Sequence, residues 1–328
     1  MSIGQVAELW RYPVKSLGGE RVEQAEIGPR GVLGDRLWAV RDLERDVTAS
    51  ARQLPVLLTA TARYPEPVAP DAGPGKVPDI EITFPDGTVL SSNDGGVHAK
   101  LSELAGRDVE LTALPPSDDI SLHKLSRAER SDTMSPTWLR SAFGMSDDEK
   151  LPDLSMVRLS DMVNFTRYST PPGMFVDLAP VHVLSQASLA TIGAEIGSEL
   201  DVRRFRPNVL LALENPDDGL PESQWTGAQL ALGGTVLDVM MPTIRCVVPS
   251  RAQPGFEVDR RITKAVATRA QRCLGVYCWV EKGGEIRVGD DVALRPASAG
   301  RKVIANAARR TKRFTFGLFN EAVDRLSR

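Results

Sequence analysis

"AQLALGGTVLDVMMPTIRCVV", residues 228 to 248, decides the fold class. "AQLALGG" and "TVLDVMMP" pair as a hairpin across Gly233-Gly234, and "TIRCVV" reads as a further strand before Pro249-Ser250. The same pattern recurs outward. "RPNVLLAL" is a buried-looking strand upstream, and "VYCWVEKGGEIRVGDDVALRP" gives two strands around Gly283-Gly284 and then a last one. Further back, "GQVAELWRYPV", "RLWAVRD", "PVLLTATARY" and "RDVELTAL" read as strands, and "DIEITFPDGTVLSS" turns as a hairpin at Pro85-Asp86-Gly87. Helices are few. "AKLSELAG" ends at Gly106, and "RRITKAVATRAQRC" is another. A third covers residues 186–196, after a strand from Val181 to Leu184, with Ser185 as N-cap and Gly197 at its end.

Between these ordered regions, residues 116–175 turn polar and proline-containing ("LPPSDD", "MSDDEKLPD", "TPPG") and read as an insertion or linker. The chain therefore divides into 1–115, 116–175, 176–297 and a tail, 298–328. The expected fold is mostly β with some α: two β-barrel-like domains with a few peripheral helices, not a doubly wound α/β sheet. No GxGxxG follows a strand, so a Rossmann nucleotide site is not expected.

Net charge is −3, which argues against a nucleic-acid partner, but it is unevenly spread. Residues 301–328 carry eight Lys/Arg against two Asp/Glu, which leaves the rest at −9. No run of ~18 apolar residues is present, and "MSIGQVAELWRYP" lacks the form of a signal peptide. Three cysteines with no CxxC fit neither a disulfide framework nor an iron–sulfur or zinc site, and the expected compartment is the reducing cytoplasm.

Four patches carry candidate chemistry. Cys246 is either a small core hydrophobe or a thiolate favoured by its neighbour Arg245. Alternation along a strand sends Arg245 to the other face, so the arginine helps only if the strand ends there, as Pro249 allows. Lys15 and Ser16, in "RYPVKSLGG", suit an anionic group such as phosphate, or sit on a plain surface loop. Arg36, in "GDRLW", opens a strand and has Asp35 as a candidate ion-pair partner. In "RRFRPNVLL", Pro207 should hold Arg206 extended, and Asn208 offers the donors and acceptors a heterocycle edge needs. His98, His123 and His182 show no ligand spacing.

Taken together, "YPVKSLGG", "GDRLW", "RFRPNVLL", "IRC" and "GEIRVGDDV" resemble, in content and order, the MOSC family, the molybdenum-cofactor sulfurase C-terminal domain proteins. The resemblance covers most of residues 3–296. It implies an N-terminal MOSC β-barrel domain over 1–115 and a MOSC domain over 176–297. It also implies a molybdenum cofactor (molybdopterin) with Cys246 as the metal's protein ligand and catalytic thiolate. Lys15, Ser16 and Arg36 fall on family positions for the phosphate and pterin, Arg206 and Asn208 on the "RPN" contacts, Ser185 on a serine near the pterin, and Arg245 beside the thiolate.

The implied activity is a molybdenum-dependent oxidoreductase that reduces small N-hydroxylated compounds. The sequence departs from the family where a Thr-Thr pair is replaced by Pro249-Ser250 and where Ile244 replaces a small polar residue. Relatives with a fused ferredoxin carry a C-terminal cysteine cluster. This chain has none, so electrons are expected from a separate ferredoxin- or cytochrome-like protein. The alternatives are a sulfur or molybdenum-cofactor carrier using Cys246, or a scaffold without cofactor. In the tail, Phe316, Phe319, Val323 and Leu326 share a helical face behind Arg309, Arg310, Lys312 and Arg313. That face either packs on the body or docks to an acidic donor protein or anionic membrane.

Overall fold

The computed structural model describes residues 2–133, 135–145, 164, 166–215 and 219–296. Seven strands close a barrel: Ser2–Arg11 (β1), Val181–Ser185 (β2), Val209–Leu213 (β3), Gln229–Leu232 (β4), Thr235–Ile244 (β5), Cys273–Lys282 (β6) and Asp291–Arg295 (β7). Their order around the barrel is β1–β3–β2–β6–β5–β4–β7, and β7 pairs back to β1. Closure leaves no free sheet edge. The interior is apolar, with Leu9, Val183, Leu211, Leu230, Val239 and Val276 among its buried residues.

All ladders of the barrel are antiparallel except β2–β3. Parallel neighbours need a crossover, here the helix Gln186–Ile196 and the 3-10 turn Val202–Arg204. That helix starts and stops where its sequence signals: Ser185 Oγ accepts the Ser188 N–H at 3.1 Å, and Gly197 closes it at φ +69°. Leu189 and Ile192 bury its inner face against Phe205 and against Ile262 of the helix Arg260–Ala270.

β5 corrects one expected boundary. "TVLDVMMP" and "TIRCVV" are not separate strands, because β5 runs through Pro242 and ends at Ile244. Its register against β6 slips between Val239 and Met241 and again between Pro242 and Ile244. Such irregularities let a strand carry a residue that has no N–H to give. The strand then stops, and Arg245 and Cys246 lie beyond it, ahead of the 3-10 turn Val248–Ser250.

The N-terminal segment is shared between two bodies of structure. β1 belongs to the barrel, and Gln24–Gly28 pairs with Gly284–Arg287 near the other end of the chain. The remainder builds two three-stranded sheets, Val47–Thr48 with Trp38–Asp42 and Val109–Ala113, and Thr61–Arg63 with Glu81–Thr83 and Val89–Ser91. They enclose a second core with Leu17, Leu57, Ile82 and Leu101. "PVLLT" is a 3-10 turn rather than the start of a strand, with Pro55 in its first turn. Within 116–175 the chain forms the helices Arg127–Asp132 and Pro136–Phe143, capped by Ser126 and Ser135. No helix among the described residues is long and apolar enough to cross a membrane. The readings made for the tail 298–328 fall outside the described residues.

Strand direction has a functional consequence. The C-terminal end of β1 meets the N-terminal ends of β2 and β3, and across β2, β6 and β5 the residues His182, Tyr277 and Met241 lie level on the barrel's outer face, His182 and Tyr277 alternating with the core residues Val183 and Val276.

Candidate functional site: a cation-lined cavity on the barrel's outer face

A cavity of about 480 Å³ opens on this outer face of the barrel. Lys15, Ser16, Arg36, Arg206, Asn208, Arg245 and Cys246 all line it. These residues come from four separate stretches of the chain. Ser185 is not among the lining residues. Its hydroxyl caps the crossover helix and its N–H donates to the buried Glu222 carboxylate.

The backbone is shaped around this cavity. Ser16, Arg36 and Arg206 have φ of 73°, 53° and 55°, in the left-handed region that costs a side-chain-bearing residue energy. Arg206 was expected to be extended because Pro207 follows it, and the structure shows otherwise. Its N–H donates to Val202 O at 3.3 Å, so the residue ends the 3-10 turn as a left-handed cap ends a helix. Ser16 Oγ accepts the Ala51 N–H at 2.9 Å. Arg36 N–H donates to Tyr12 O at 2.7 Å, and its guanidinium pairs with the buried Asp35, so their ion pair is not a surface one.

Six cations, Lys15, Arg36, Arg45, Arg52, Arg206 and Arg245, face two acids, Glu129 and Asp177, so the lining favours an anion. Arg45 is paired with Glu129, and Lys15 Nζ donates to Asp177. Lys15 is only 4% exposed, and burial pulls its pKa below the usual lysine range despite Asp177. Asp177 is half exposed, and Lys15, Arg52 and Arg36 hold its carboxyl well below the ordinary range. Burial, and next to it Arg36, lowers Arg206 to about 10, which leaves it charged at neutral pH.

Arg206 spends one nitrogen on Leu17 O, and its Nη2 is buried without a partner. Arg245 Nη2 donates to Phe205 O at 2.8 Å, and its buried Nε is likewise unpartnered. Unmet buried donors carry a free-energy cost, and an anion in the cavity would relieve it. Asn208 is almost wholly engaged with backbone: Oδ1 accepts the His182 N–H at 3.1 Å, and Nδ2 donates to Trp10 O at 3.4 Å. Its amide therefore ties β3 to its neighbours on both sides while it lines the cavity.

Because β5 stops at Ile244, Cys246 reaches the cavity, half-buried against Ala51, Leu58 and Val248. Among the described residues no three His, Cys, Asp or Glu side chains converge on a metal position. A metal at Cys246 would need its other donors from an organic ligand, which a phosphorylated pterin with its own sulfurs supplies. The lining thus fits such a group: a soft thiolate for the metal and unmet cationic donors for the phosphate. Ser250, in the departing loop, is buried and bonds Thr263 through its hydroxyl, while Val248 lines the cavity.

The lining residues not singled out from sequence include Arg52, Trp138, Asp177, His182 and Tyr277. Burial opposes charge on Arg52, yet Asp177 and Cys246 keep its pKa raised, and it lies 5.9 Å from the Trp138 ring centroid. Burial lifts Tyr277 to about 12. His182 sits over Gly275, where a Cβ would meet its Nε2 at 2.5 Å. Burial first and then Arg245 hold His182 well below the usual histidine pKa, so the ring is neutral. Asp177 precedes a visibly apolar strand and His182 lies in it, a signal that existed in "VDLAPVHVLS". Trp138 carried none, because its helix is in the segment read as linker. That segment lines the cavity: Trp138, Leu139 and Phe143 face it, and Ala142 O accepts the Val247 N–H at 3.1 Å, next to Cys246.

The MOSC domain family matches residues 171–293, and the MOSC N-terminal beta barrel domain family matches residues 3–99. The chain is 24% identical over 307 residues to mitochondrial amidoxime reducing component 2 of Bos taurus, covering 88% of this chain and 83% of that one. It is 24% identical over 310 residues to mitochondrial amidoxime-reducing component 1 of Homo sapiens, covering 89% and 83%. The solved YUAD protein from Bacillus subtilis aligns over 90% of this chain and 97% of that one, at 12% identity and a TM-score of 0.43. With both domain families matched in tandem over most of its length, the chain belongs to the MOSC family, an N-terminal MOSC β-barrel domain followed by a MOSC domain.

Proposed function

We propose that this protein is a molybdenum-cofactor-dependent oxidoreductase that reduces N-hydroxylated compounds with electrons from a separate donor protein. One observation carries the reading: seven residues from four distant stretches line one cavity, where two of them hold unmet buried donors beside a single half-buried cysteine. Relatives named amidoxime-reducing components support the substrate class.

In this reading Arg206, Arg245, Arg36, Lys15 and Ser16 bind the cofactor's phosphate and pterin, and Cys246 Sγ ligates the metal. The bound cofactor supplies two-electron redox chemistry and an open position for the substrate oxygen. The net reaction breaks the N–O bond, takes up two electrons and two protons, and releases water. Lys15 Nζ, whose proton burial makes easier to lose, is the cavity's candidate proton donor, with Asp177 holding it in place. Trp138, Leu139 and Phe143 wall the cavity and limit water. A reducing compartment, the cytoplasm in this proposal, keeps the thiolate free.

The test is molybdenum and pterin content of protein made in a cofactor-producing host, wild type beside Cys246→Ala. Near-stoichiometric molybdenum that falls at least about tenfold in the variant is expected, a loss in the range for removing a metal contact. No molybdenum in the wild type, beside a loaded control protein from the same host, overturns the reading and turns attention to sulfur transfer at Cys246.

A further inference from the structure

Arg36 and Arg206 present a problem that their own contacts do not solve. Both are cations with left-handed backbones, both line the same cavity, and Arg36 is close enough to depress Arg206. Two like charges with little water between them should turn apart. Asp35 neutralises Arg36, whereas the Arg206 guanidinium donates to an uncharged carbonyl, Leu17 O. The aromatic ring of Tyr12 stands beside both. The Arg206 guanidinium carbon lies 4.3 Å from its centroid and that of Arg36 lies 5.1 Å away.

Tyr12 is itself held from several sides. It is 1% exposed, its N–H donates to Asp35 Oδ1 at 2.8 Å and its carbonyl accepts the Arg36 N–H at 2.7 Å. Its hydroxyl donates to Pro207 O at 3.3 Å, next to Arg206, and its ring stacks on Trp10 at 6.5 Å. The ring face is electron-rich and attracts a guanidinium, most strongly where water is excluded. Backbone on one side and side chain on the other thus join Tyr12 to both arginines.

We propose that Tyr12 is the positioning residue of the cavity's anion-binding end, its π face holding the Arg36 and Arg206 guanidiniums side by side for one phosphate group. The proposal rests on the reading of that end as the site of a phosphorylated cofactor, but it concerns anion binding and not the redox reaction. Tyr12 touches neither substrate nor metal in this role. It sets the spacing of two cations that would otherwise repel.

The test uses the full chain without cofactor and inorganic phosphate as the probe, with binding measured by titration calorimetry and folding by circular dichroism. Tyr12→Phe keeps the ring and is expected to bind phosphate within about twofold of wild type, since only the hydroxyl contact to Pro207 is lost. Tyr12→Leu keeps apolar bulk but no π face and is expected to weaken binding roughly tenfold. Pentafluorophenylalanine in place of Tyr12 preserves the ring's shape and inverts its quadrupole, so it decides the matter if the leucine variant does not fold. Its binding should fall as far as that of the leucine variant. Molybdenum content in a cofactor-producing host should follow the same order. Leucine or the fluorinated ring binding like wild type overturns the proposal, as does a phenylalanine variant as weak as leucine. A wild type that does not bind phosphate also overturns it. A wild type that binds phosphate but takes up no molybdenum overturns the oxidoreductase reading and leaves Tyr12's role standing.

Discussion

Two groups of buried polar side chains lie within the barrel region, and they are opposites. Ser185, Ser188 and Glu222 are each no more than 1% exposed and satisfy one another: Glu222 accepts from Ser185 N–H and Ser188 Oγ, and Ser185 Oγ accepts from Ser188 N–H. That knot fastens the start of the crossover helix and leaves none of its polar atoms without a partner. At the cavity, Arg206 Nη2 and Arg245 Nε stay unpartnered, and Ser16, Arg36 and Arg206 sit at positive φ. The contrast teaches that burial of polar groups does not mark a binding site. Unspent bonding capacity, held in place at a cost in backbone strain, does.

The comparison can be broken by mutating each side. Arg206→Met is expected to weaken phosphate binding about 100-fold or more, the effect of removing a charge-assisted contact in a dry site, while unfolding free energy stays within about 1 kcal/mol because an unmet donor goes with it. Urea unfolding and calorimetry together read both; a large stability loss with intact binding would reverse the assignment. Glu222→Ala should do the converse. It strands the Ser185 N–H and the Ser188 hydroxyl, so a loss of ~3 kcal/mol by urea unfolding is expected with unchanged phosphate affinity. Weakened binding there would mean that the two groups are coupled.

A pH titration sharpens the border between them. His123 is fully buried on the strip that carries Leu125 and Tyr168 to the cavity, its Nδ1 2.7 Å from Thr170 Oγ1 and its Nε2 accepting the Gly173 N–H at 3.1 Å. Burial lowers its pKa to about 4, only partly opposed by Asp119. The folded state thus prefers the neutral ring. Its contribution is complete above pH 6.5, falls as pH drops from 6.5 to about 4, and levels off below, a swing of roughly 3 kcal/mol if the whole difference is expressed. Stability against pH for His123→Asn should lack that slope; an identical slope would assign the acid lability elsewhere. The smallest effect is Ser185→Ala, a lost helix cap worth ~1 kcal/mol, with pterin content unchanged. Lost pterin would return Ser185 to the cofactor site.

The crossover helix was legible residue by residue, because capping at Ser185 and termination at Gly197 are decided within a few residues of each end. Cys246 was legible only as an alternative. Whether Arg245 and Cys246 lie on opposite strand faces depended on where β5 stops, and that is set by its pairing with β6, at Ile244 against Cys273. Arg206 misled for a similar reason. The residue before a proline avoids the helical region locally, but the Val202–Arg204 turn and Asn208's ties to β1 and β2 require a left-handed residue between them. Trp138 was missed because polarity and prolines describe a surface, and one face of a surface helix can still wall a cavity.

The sequence by itself determined the strand alternation, the hairpin at Gly233-Gly234, the caps and the set of residue types able to hold an anion and a soft metal. These follow from interactions over a few bonds or a few residues. Only the tertiary structure decided that β1 completes a barrel otherwise drawn from residues 181–295, and that Leu17 reaches Arg206, Lys15 reaches Asp177 and His182 reaches Arg245. Those contacts span 63 to 189 positions. No local periodicity encodes them, because they form only when burial of the whole barrel core offsets the entropy of closing such long loops.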